Sequence, residues 1–376
     1  MKKLIFKKLL KDITNFFIIS VLSISIIIWV IQAVNYLDFV SEDGHSFKIY
    51  FLYTLLSLPK IISRVLPFMF FISIFYILVK YEEENELVIF WLNGIKKIKF
   101  VNTLIIFSTI FLILQIFMSS YLIPTTQDLA RSFIRTSNID SFPNLIKEKK
   151  FIDTVSNLTL YVDEKNEDGI FKNLVLKDEI DKTKSQIIYA EQGEIIKKNN
   201  KFFLILSEGT IINKDNKSTN IFNFSSSQFN LSKFETKTTT FPKIQEINTA
   251  VLTRCLLFLK NYNIVKNFSS RVLQCNNDNI DPIQRELFKR FLLPFYIPLL
   301  ALFVSTLILT SKDKFTYTKS KAKVFLGSVL LIIISEMSIR YIDKENLTAL
   351  FFISIPFFLF TLTYFFMKQK LKQNLN

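Results

Sequence analysis

The sequence predicts an α-helical membrane protein of six transmembrane helices, arranged three and three around a β-rich domain outside the cytoplasm. Three observations predict it. Long uncharged apolar runs recur at both ends of the chain, basic residues gather in alternate short loops, and the long middle segment alternates like strands. Composition agrees. Hydrophobic residues make up 50% of the chain and 41 residues are Phe, yet Lys+Arg (47) exceed Asp+Glu (32) for a net charge of +15. A soluble globule is rarely so apolar. Basic excess beside long apolar runs points to charged cytoplasmic loops and away from nucleic acid.

A helix needs roughly 20 apolar residues to cross the hydrocarbon core. Ile13–Leu37, Phe100–Gln127, Phe291–Ser311 and Asn346–Met367 are uncharged. Ile49–Val79 is broken only by Lys60 and Arg64, and Val324–Ile339 contains only Glu336 before its end. These are the six predicted spans. No signal-peptide cleavage site follows the first run, so that run is expected to stay in the membrane.

Orientation follows from Lys and Arg in the short loops. Lys2, Lys3, Lys7, Lys8 and Lys11 put the N-terminus inside. The first loop, with Asp38, Glu42, Asp43 and Lys48, suits the outside. Lys96, Lys97 and Lys99 put the second loop inside, as do Lys312, Lys314, Lys319, Lys321 and Lys323 for the loop between the fourth and fifth spans. Arg340 and Lys344 are balanced by Asp343 and Glu345 in the next loop, which can lie outside; Lys368, Lys370 and Lys372 put the tail inside.

Parity then places the segment from about Asp128 to Lys289 outside. Short alternating runs fill it at 157–162, 169–176, 185–189, 194–196, 201–206 and 209–212, separated by Asn, Asp, Gly and Lys. Many short strands at even spacing indicate a sandwich, jelly roll or barrel. Ile247–Gln274 reads as helical. The chain thus divides at 1–127, 128–246 (the β domain), 247–290 (a helical connector) and 291–376.

Enzyme chemistry finds little support. The single His, His45, sits in a polar loop, so no His-rich metal site or His-based triad is expected, and no metal or other cofactor. No GxxxxGK[ST] loop is present to hold ATP. Cys255 and Cys275 lack ligand spacing, and two unpaired thiols are expected.

Two regions depart from plain membrane architecture. Between Tyr81 and Gly94, acidic residues open a short run whose middle is apolar and whose end is Gly. That pattern predicts an amphipathic helix over about 82–94, too short to span. It would lie on lipid or dock a protein; the Glu82-Glu83-Glu84 cluster disfavours anionic lipid and favours a protein. The second region is Lys60 and Arg64, one helical turn apart between Pro59 and Pro67. Charges at such depth are costly unless they snorkel or meet a partner. They form a candidate basic lip for an anionic lipid headgroup, to which Arg340 would add, with Glu336 one turn from Arg340.

The chain also resembles the LptF/LptG permeases of the lipopolysaccharide exporter, over nearly its whole length. Trp29-Val-Ile-Gln32, Tyr36-Leu-Asp-Phe39 and Gly44 resemble the family's first helix, and favour LptF. Leu58-Pro59 and Leu66-Pro67 match the paired Leu-Pro of its second. Glu86-Leu87 with Gly94-Ile95 matches its coupling helix. Leu158-Thr-Leu-Tyr-Val162 and an Ala190-Glu-Gln-Gly193 turn resemble its β-jelly-roll, and Glu286-Leu287, Arg290 and Pro294 the start of its fourth helix.

The resemblance implies a permease without its own ATPase site, in the inner membrane with both termini cytoplasmic and a periplasmic jelly roll. It would pair with LptG, take ATP hydrolysis from an LptB dimer, and pass lipopolysaccharide from the outer leaflet to LptC and the LptA bridge. Glu86, Leu87, Phe90, Trp91 and Gly94 would form the coupling helix, with Glu86 as the ATPase contact. Departures are Trp91, Leu92 and Asn93 where small residues are common before the Gly, Lys96 where Ser is common, and no basic residue in the core of the first span. Other readings are an LptG-type subunit, a MacB-like permease (whose outer domain follows the first helix), a membrane anchor or assembly factor for a β domain, and a membrane enzyme.

Overall fold

A computed structural model describes residues 2–37, 46–146, 148–155, 158–166, 170–181, 184–198, 201–215, 218–231, 243–259, 275–342 and 346–373. The expectations for Asp38, Glu42–His45, Asp343–Glu345 and 260–274 lie outside those residues. The chain forms two compact units, one of Met1–Val30, Ser57–Asp128 and Pro242–Asn376, the other of Ile31–Leu56 and Leu129–Phe241.

The helices are α1 (Lys2–Asn35), α2 (Phe47–Leu56), α3 (Leu58–Glu83), α4 (Glu86–Leu92), α5 (Lys97–Phe117), α6 (Ile123–Leu145), α7 (Thr249–Leu259), α8 (Ile280–Phe291), α9 (Tyr296–Val304), α10 (Tyr317–Ser338) and α11 (Asn346–Gln373). In the first unit α9 is the centre. Every residue of it but Phe303 is buried, and it packs on α3, α5, α10 and α11. Around it the helices bury one stripe and leave an apolar outer face. In α1 the stripe is Leu9, Ile13, Phe17, Val21 and Ser25, a strict spacing of four. Ile19, Ile26, Ile106, Ile113, Leu326, Phe358 and Phe365 are exposed on the outside of α1, α5, α10 and α11. Bundles that are apolar on both faces belong in lipid.

Among the described residues, five stretches are long and apolar enough to cross a membrane: Lys2–Asn35, Phe47–Glu83, Lys97–Ile134, Ile280–Leu309 and Phe351–Gln373. The sixth predicted span is α10, a helix of 22 residues, about 33 Å at ~1.5 Å per residue against a hydrocarbon core of roughly 30 Å. It is less apolar than these five, with Lys319, Lys321 and Lys323 in its first turns and Glu336 near its end. Packing also holds it in place. Val324, Ser328, Leu331 and Ser335 form its buried seam, and a Cβ on Gly327 would lie 2.6 Å from the Phe303 ring.

The paired Leu-Pro steps have distinct jobs. Pro59 sits in the first turn of α3, where its missing N–H costs nothing. Pro67 lies inside α3 and deprives the Ser63 carbonyl, four residues back, of its helical donor. The Gln115 side chain of α5 supplies the replacement, donating Nε2 to Ser63 O at 2.9 Å and to Ser63 Oγ at 3.0 Å.

Just beyond Gln115 the helix widens into a π turn, Met118–Leu122. The Ser119 hydroxyl there donates to Arg290 O at 3.0 Å, and Thr249 Oγ1 donates to Ser120 O. Arg290 of α8 is only 1% exposed. It donates to Glu286 Oε1 at 2.9 Å, Ile247 O at 3.0 Å, Thr249 Oγ1 at 2.8 Å and Gln245 O at 3.0 Å. The Glu286–Arg290 pair at the start of the fourth predicted helix is therefore a buried junction joining 245–249 to α8.

Beside it, Cys255 of α7 and Cys275 form a disulfide, Cα to Cα 5.8 Å. This corrects the expectation of two unpaired thiols. Spacing along the chain carried no sign of the pairing, because α7 packs on α8 and thereby brings Cys275 to it.

In the second unit Tyr50 of α2 donates to Ala33 O at 2.8 Å, and Tyr36 meets Tyr53 edge to face at 5.1 Å. Its larger part is one six-stranded antiparallel sheet in sequential order: β1 (Phe151–Val155), β2 (Leu158–Lys165), β3 (Ile170–Asp181), β4 (Lys184–Lys198), β5 (Lys201–Asp215) and β6 (Ser218–Asn230). The β domain stands as expected, but its order is that of a meander. The crossing connections of a jelly roll do not occur among the described residues.

One transverse line shapes the sheet. The ladders pair Val162 with Leu174, Leu174 with Ala190, Ala190 with Gly209 and Gly209 with Phe224, and resume two residues further on. Asp163, Asn173, Glu191 and Glu208 lie on the skipped line. Asn173 (φ 50°) and Glu208 (φ 51°) are left-handed there. The inward side chains change parity across it: Leu204 and Leu206 point to the core before it, Ile211 after it, and all join one hydrophobic cluster. A bulge repeated at the same level in neighbouring strands bends the sheet while keeping its register. The Ala190-Glu-Gln-Gly193 segment read as a turn is this bulge, inside β4. A Cβ on Gly209 would sit 2.1 Å from Tyr189 O and 2.7 Å from the Phe224 ring.

Two predictions follow from these contacts. Gly209→Ala is expected to cost ~3 kcal/mol or more through overpacking of the bend, seen as a lower melting temperature and protease cleavage within 151–230. Arg290→Ala, which strands a buried carboxylate and two carbonyls, is expected to cost roughly 3–5 kcal/mol, read from thermal unfolding in detergent.

Candidate functional site

The short helix α4 is held between two left-handed residues. α3 ends at Glu84, Asn85 (φ 60°) turns the chain, α4 runs for seven residues, and Gly94 (φ 67°) ends it. The turn after α4 is closed by Asn93 N to Ile89 O at 3.1 Å, Gly94 N to Trp91 O at 2.9 Å and Ile95 N to Phe90 O at 3.1 Å. Gly suits this terminus because a left-handed residue without Cβ carries no steric penalty.

Leu87 and Phe90 are the buried anchors of α4. The Phe90 ring meets Phe6 of α1 at 5.4 Å and Phe100 of α5 at 5.0 Å. Trp91 packs on Phe100 at 5.7 Å, with Lys97 Nζ 5.4 Å above its indole. Glu86, expected to reach an ATPase partner, has its carboxylate turned toward α1. Lys8 Nζ donates to both oxygens, at 2.8 and 3.0 Å. One turn on, Tyr81 of α3 donates to Asp12 of α1. The α1–α3–α4 junction is thus tied by polar pairs and aromatic contacts.

The acidic run is also engaged within the chain. Lys312 N donates to Glu82 Oε1 at 2.9 Å, Lys312 Nζ to Glu83 O at 3.1 Å, and Lys321 pairs with Glu83 at 3.0 Å. Glu82 and Glu83 therefore staple the loop before α10 to the end of α3. What α4 presents outward is apolar: Val88, Ile89 and Leu92, the last 81% exposed. Sequence reasoning passed over these three. Their signal was their place on the face opposite Leu87 and Phe90.

The basic lip takes shape at the other end of α3. Lys60 and Arg64 line a small cavity of about 60 Å³ together with Lys289 and Arg290 of α8, Gln115 of α5 and Glu336 of α10. Arg290 is bonded to Glu286, so Lys60, Arg64 and Lys289 set its charge, opposed by Glu336. Gln115 Oε1 is buried there and accepts no hydrogen bond from the described residues, while its Nε2 serves Ser63. Lys289 and Gln115 are the members that sequence reasoning missed. Arg340 does not join: it is exposed on the turn Ile339–Tyr341 after α10 and does not line the cavity. Such a cavity has room for water or one small anionic group.

Residues 7–370 match the family model "Lipopolysaccharide export system permease LptF/LptG". The chain belongs to the LptF/LptG family. One curated relative, the uncharacterized protein RP871 of Rickettsia prowazekii (strain Madrid E), is 25% identical over 201 residues, 52% of this chain. The match spans about half of that relative, 55% of its length. The family model describes a permease of the lipopolysaccharide export system, and that family together with the long apolar helices implies an inner-membrane protein.

For the α4 platform, Phe90→Ala is expected to destabilise the chain by roughly 3–5 kcal/mol, whereas Lys8→Ala, which removes an exposed ion pair, is expected to cost under ~1 kcal/mol. Thermal unfolding of the two variants in detergent separates aromatic anchoring from charge.

Proposed function

We propose that this chain is the LptF-type subunit that pairs with LptG to extract lipopolysaccharide from the outer leaflet of the inner membrane, with α4 as its docking element for a cytoplasmic LptB dimer. The observation that carries the reading is the build of α4. A helix of seven residues, fixed from below by Leu87 and Phe90 and bearing Val88, Ile89 and Leu92 outward, has an apolar face with no use in water. An apolar helix face seated in a groove is a common mode of protein recognition.

Motion would pass along the contacts described. Closure of the ATPase displaces α4. Phe90 carries the displacement to Phe6 of α1 and Phe100 of α5, and Glu86 carries it to Lys8. Glu86 thus positions α4 in this reading, while Val88, Ile89 and Leu92 make the contact. Continuous helices are stiff, so a shift at their cytoplasmic ends reaches the cavity that α1 and α10 would line with LptG. The Lys60–Arg64–Lys289 cavity would hold an anionic headgroup group while acyl chains lie on the apolar outer faces.

The placement of the ends rests on the loops. Lys2 to Lys11, Lys96 to Lys99, Lys312 to Lys323 and the tail lysines put both termini and α4 in the cytoplasm. The Cys255–Cys275 disulfide supports an oxidising, periplasmic location for the segment between α7 and α8. The β domain would then receive lipid and hand it to LptC and the LptA bridge.

Co-expression with LptB and LptG from the same organism tests the reading. Leu92→Glu is expected to strip LptB from the purified complex or abolish its ATPase activity, and Glu86→Lys, which sets two cations against each other, to weaken both. Unchanged binding in both variants moves the docking site elsewhere. Failure of the wild type to bind LptB favours an anchor for a β domain. In the assembled complex, Lys60→Gln with Lys289→Gln is expected to lower co-purified lipopolysaccharide with ATPase activity retained; equal lipid content removes the headgroup assignment.

A further inference from the structure

The outer face of the β domain carries a second feature that the export reading does not use. Opposite the core, the ladders line up Phe151, Tyr161, Val175, Tyr189, Thr210 and Asn223 across all six strands. Phe151 and Tyr161 are in ring contact at 4.8 Å, Tyr189 is exposed, and Thr210 Oγ1 donates to Asn223 Oδ1 at 3.0 Å. Beside this row runs the bulge line of Asp163, Asn173, Glu191 and Glu208. The two rows border a groove of about 740 Å³. We propose that this groove binds a neutral oligosaccharide laid across the strands.

Charge narrows the ligand first. Three carboxylates and no Lys or Arg line the groove, so a phosphate or carboxylate ligand is repelled. Among the described residues no group of three His, Cys, Asp or Glu is placed to hold a metal ion. What remains is a neutral ligand rich in hydroxyl groups, whose O–H bonds donate to Asp163, Glu191 and Glu208 as charge-assisted hydrogen bonds. The amides of Asn173 and Asn223 add both donors and acceptors.

Shape narrows it further. A pyranose has an apolar C–H face that lies flat on an aromatic ring. Tyr161 and Tyr189 stand two strands apart, roughly 9.5 Å, with Val175 between them. That offers two platforms along one extended chain of sugars. The carboxylate row runs parallel to the platforms, so each ring would meet an aromatic floor and an acceptor at its edge. Left-handed Asn173 and Glu208 hold the line in place; Asn takes that backbone readily, whereas for Glu208 it is unfavourable and the rest of the sheet must sustain it. A basic peptide would also satisfy the carboxylates and could set Lys or Arg over a tyrosine ring, so it is the competing ligand that the test must separate.

The test uses the full chain in nanodiscs, titrated with a neutral, hexose-only core oligosaccharide of lipopolysaccharide freed of its acidic sugars and phosphates, with chitohexaose, and with hexalysine. Saturable binding of at least one glycan is expected. Tyr189→Ala, whose side chain is exposed, is expected to weaken it about tenfold, the loss of one stacked ring. Glu191→Gln, which keeps the fold, is expected to weaken it several-fold. Binding of the core oligosaccharide alone identifies the sugar of the exported lipid, and binding of chitohexaose alone identifies cell-wall glycan; either supports the site. No glycan binding, binding unmoved in both variants, or binding of hexalysine alone overturns it. The α4 docking variants report separately, since their readout is LptB and ATPase activity.

Discussion

The return of the chain to its membrane unit turns on one buried guanidinium. Arg290 has no access to water, so each of its donors must find an acceptor within the protein. It finds them on its own helix, at Glu286, and on the segment 245–249. Its backbone carbonyl in turn accepts from Ser119 in the π turn. A single residue thus ties the last turn of α8 to the segment 245–249 and to the widened turn. An arginine serves here because its fork reaches several carbonyls at once while a lysine would act as a point charge. The nearby disulfide constrains the same segment by a covalent route.

A second constraint acts at the opposite end of α3. Asn85 and Gly94 each adopt a left-handed backbone, and of the eight residues between them seven form the helix. A helix that short is unstable alone. Its order comes from packing, with Phe90 between Phe6 and Phe100 and the Glu86–Lys8 pair above. Surface ion pairs contribute little to stability, so the aromatic contacts hold α4 and the charges orient it. That packing is what the docking role proposed for α4 would require.

The sequence announced the membrane helices well, because hydrocarbon thickness and basic loops are coarse signals summed over many residues. The signal is weakest at α10, where Lys319 to Lys323 and Glu336 leave only twelve uncharged residues inside a helix of 22. The strands were legible where they alternate and were cut where they bulge. Glu191-Gln-Gly193 and Ser207-Glu208 look like turns by composition, yet neighbouring strands carry the same extra residue and the ladders run on. β6, Ser218–Asn230, was missed because its Ser and Asn residues give no alternation. Of the α4 residues, the anchors Leu87 and Phe90 were named through the family resemblance; the pattern alone gave only a short amphipathic helix. The direction of Glu86 was not legible, since its partner Lys8 is 78 positions away. The Cys pairing was hidden for the same reason.

The polar cavity gains meaning from where several helices run out of apolar sequence. α10 loses its uncharged stretch at Glu336. α3 places Lys60 and Arg64 at the same cavity, α5 contributes Gln115 just before its π turn, and α8 contributes Lys289. These side chains come from four helices, and each marks the end of an apolar segment or a break in regular helix. Their convergence defines one level in the bundle. Such a level is where a bilayer gives way to its headgroups, since charges deeper in the hydrocarbon would be costly and charges further out would be solvated. A cavity at that level, with cations in excess over the single free carboxylate among its described residues, Glu336, and one buried amide oxygen left over, favours an anionic group over a cationic one.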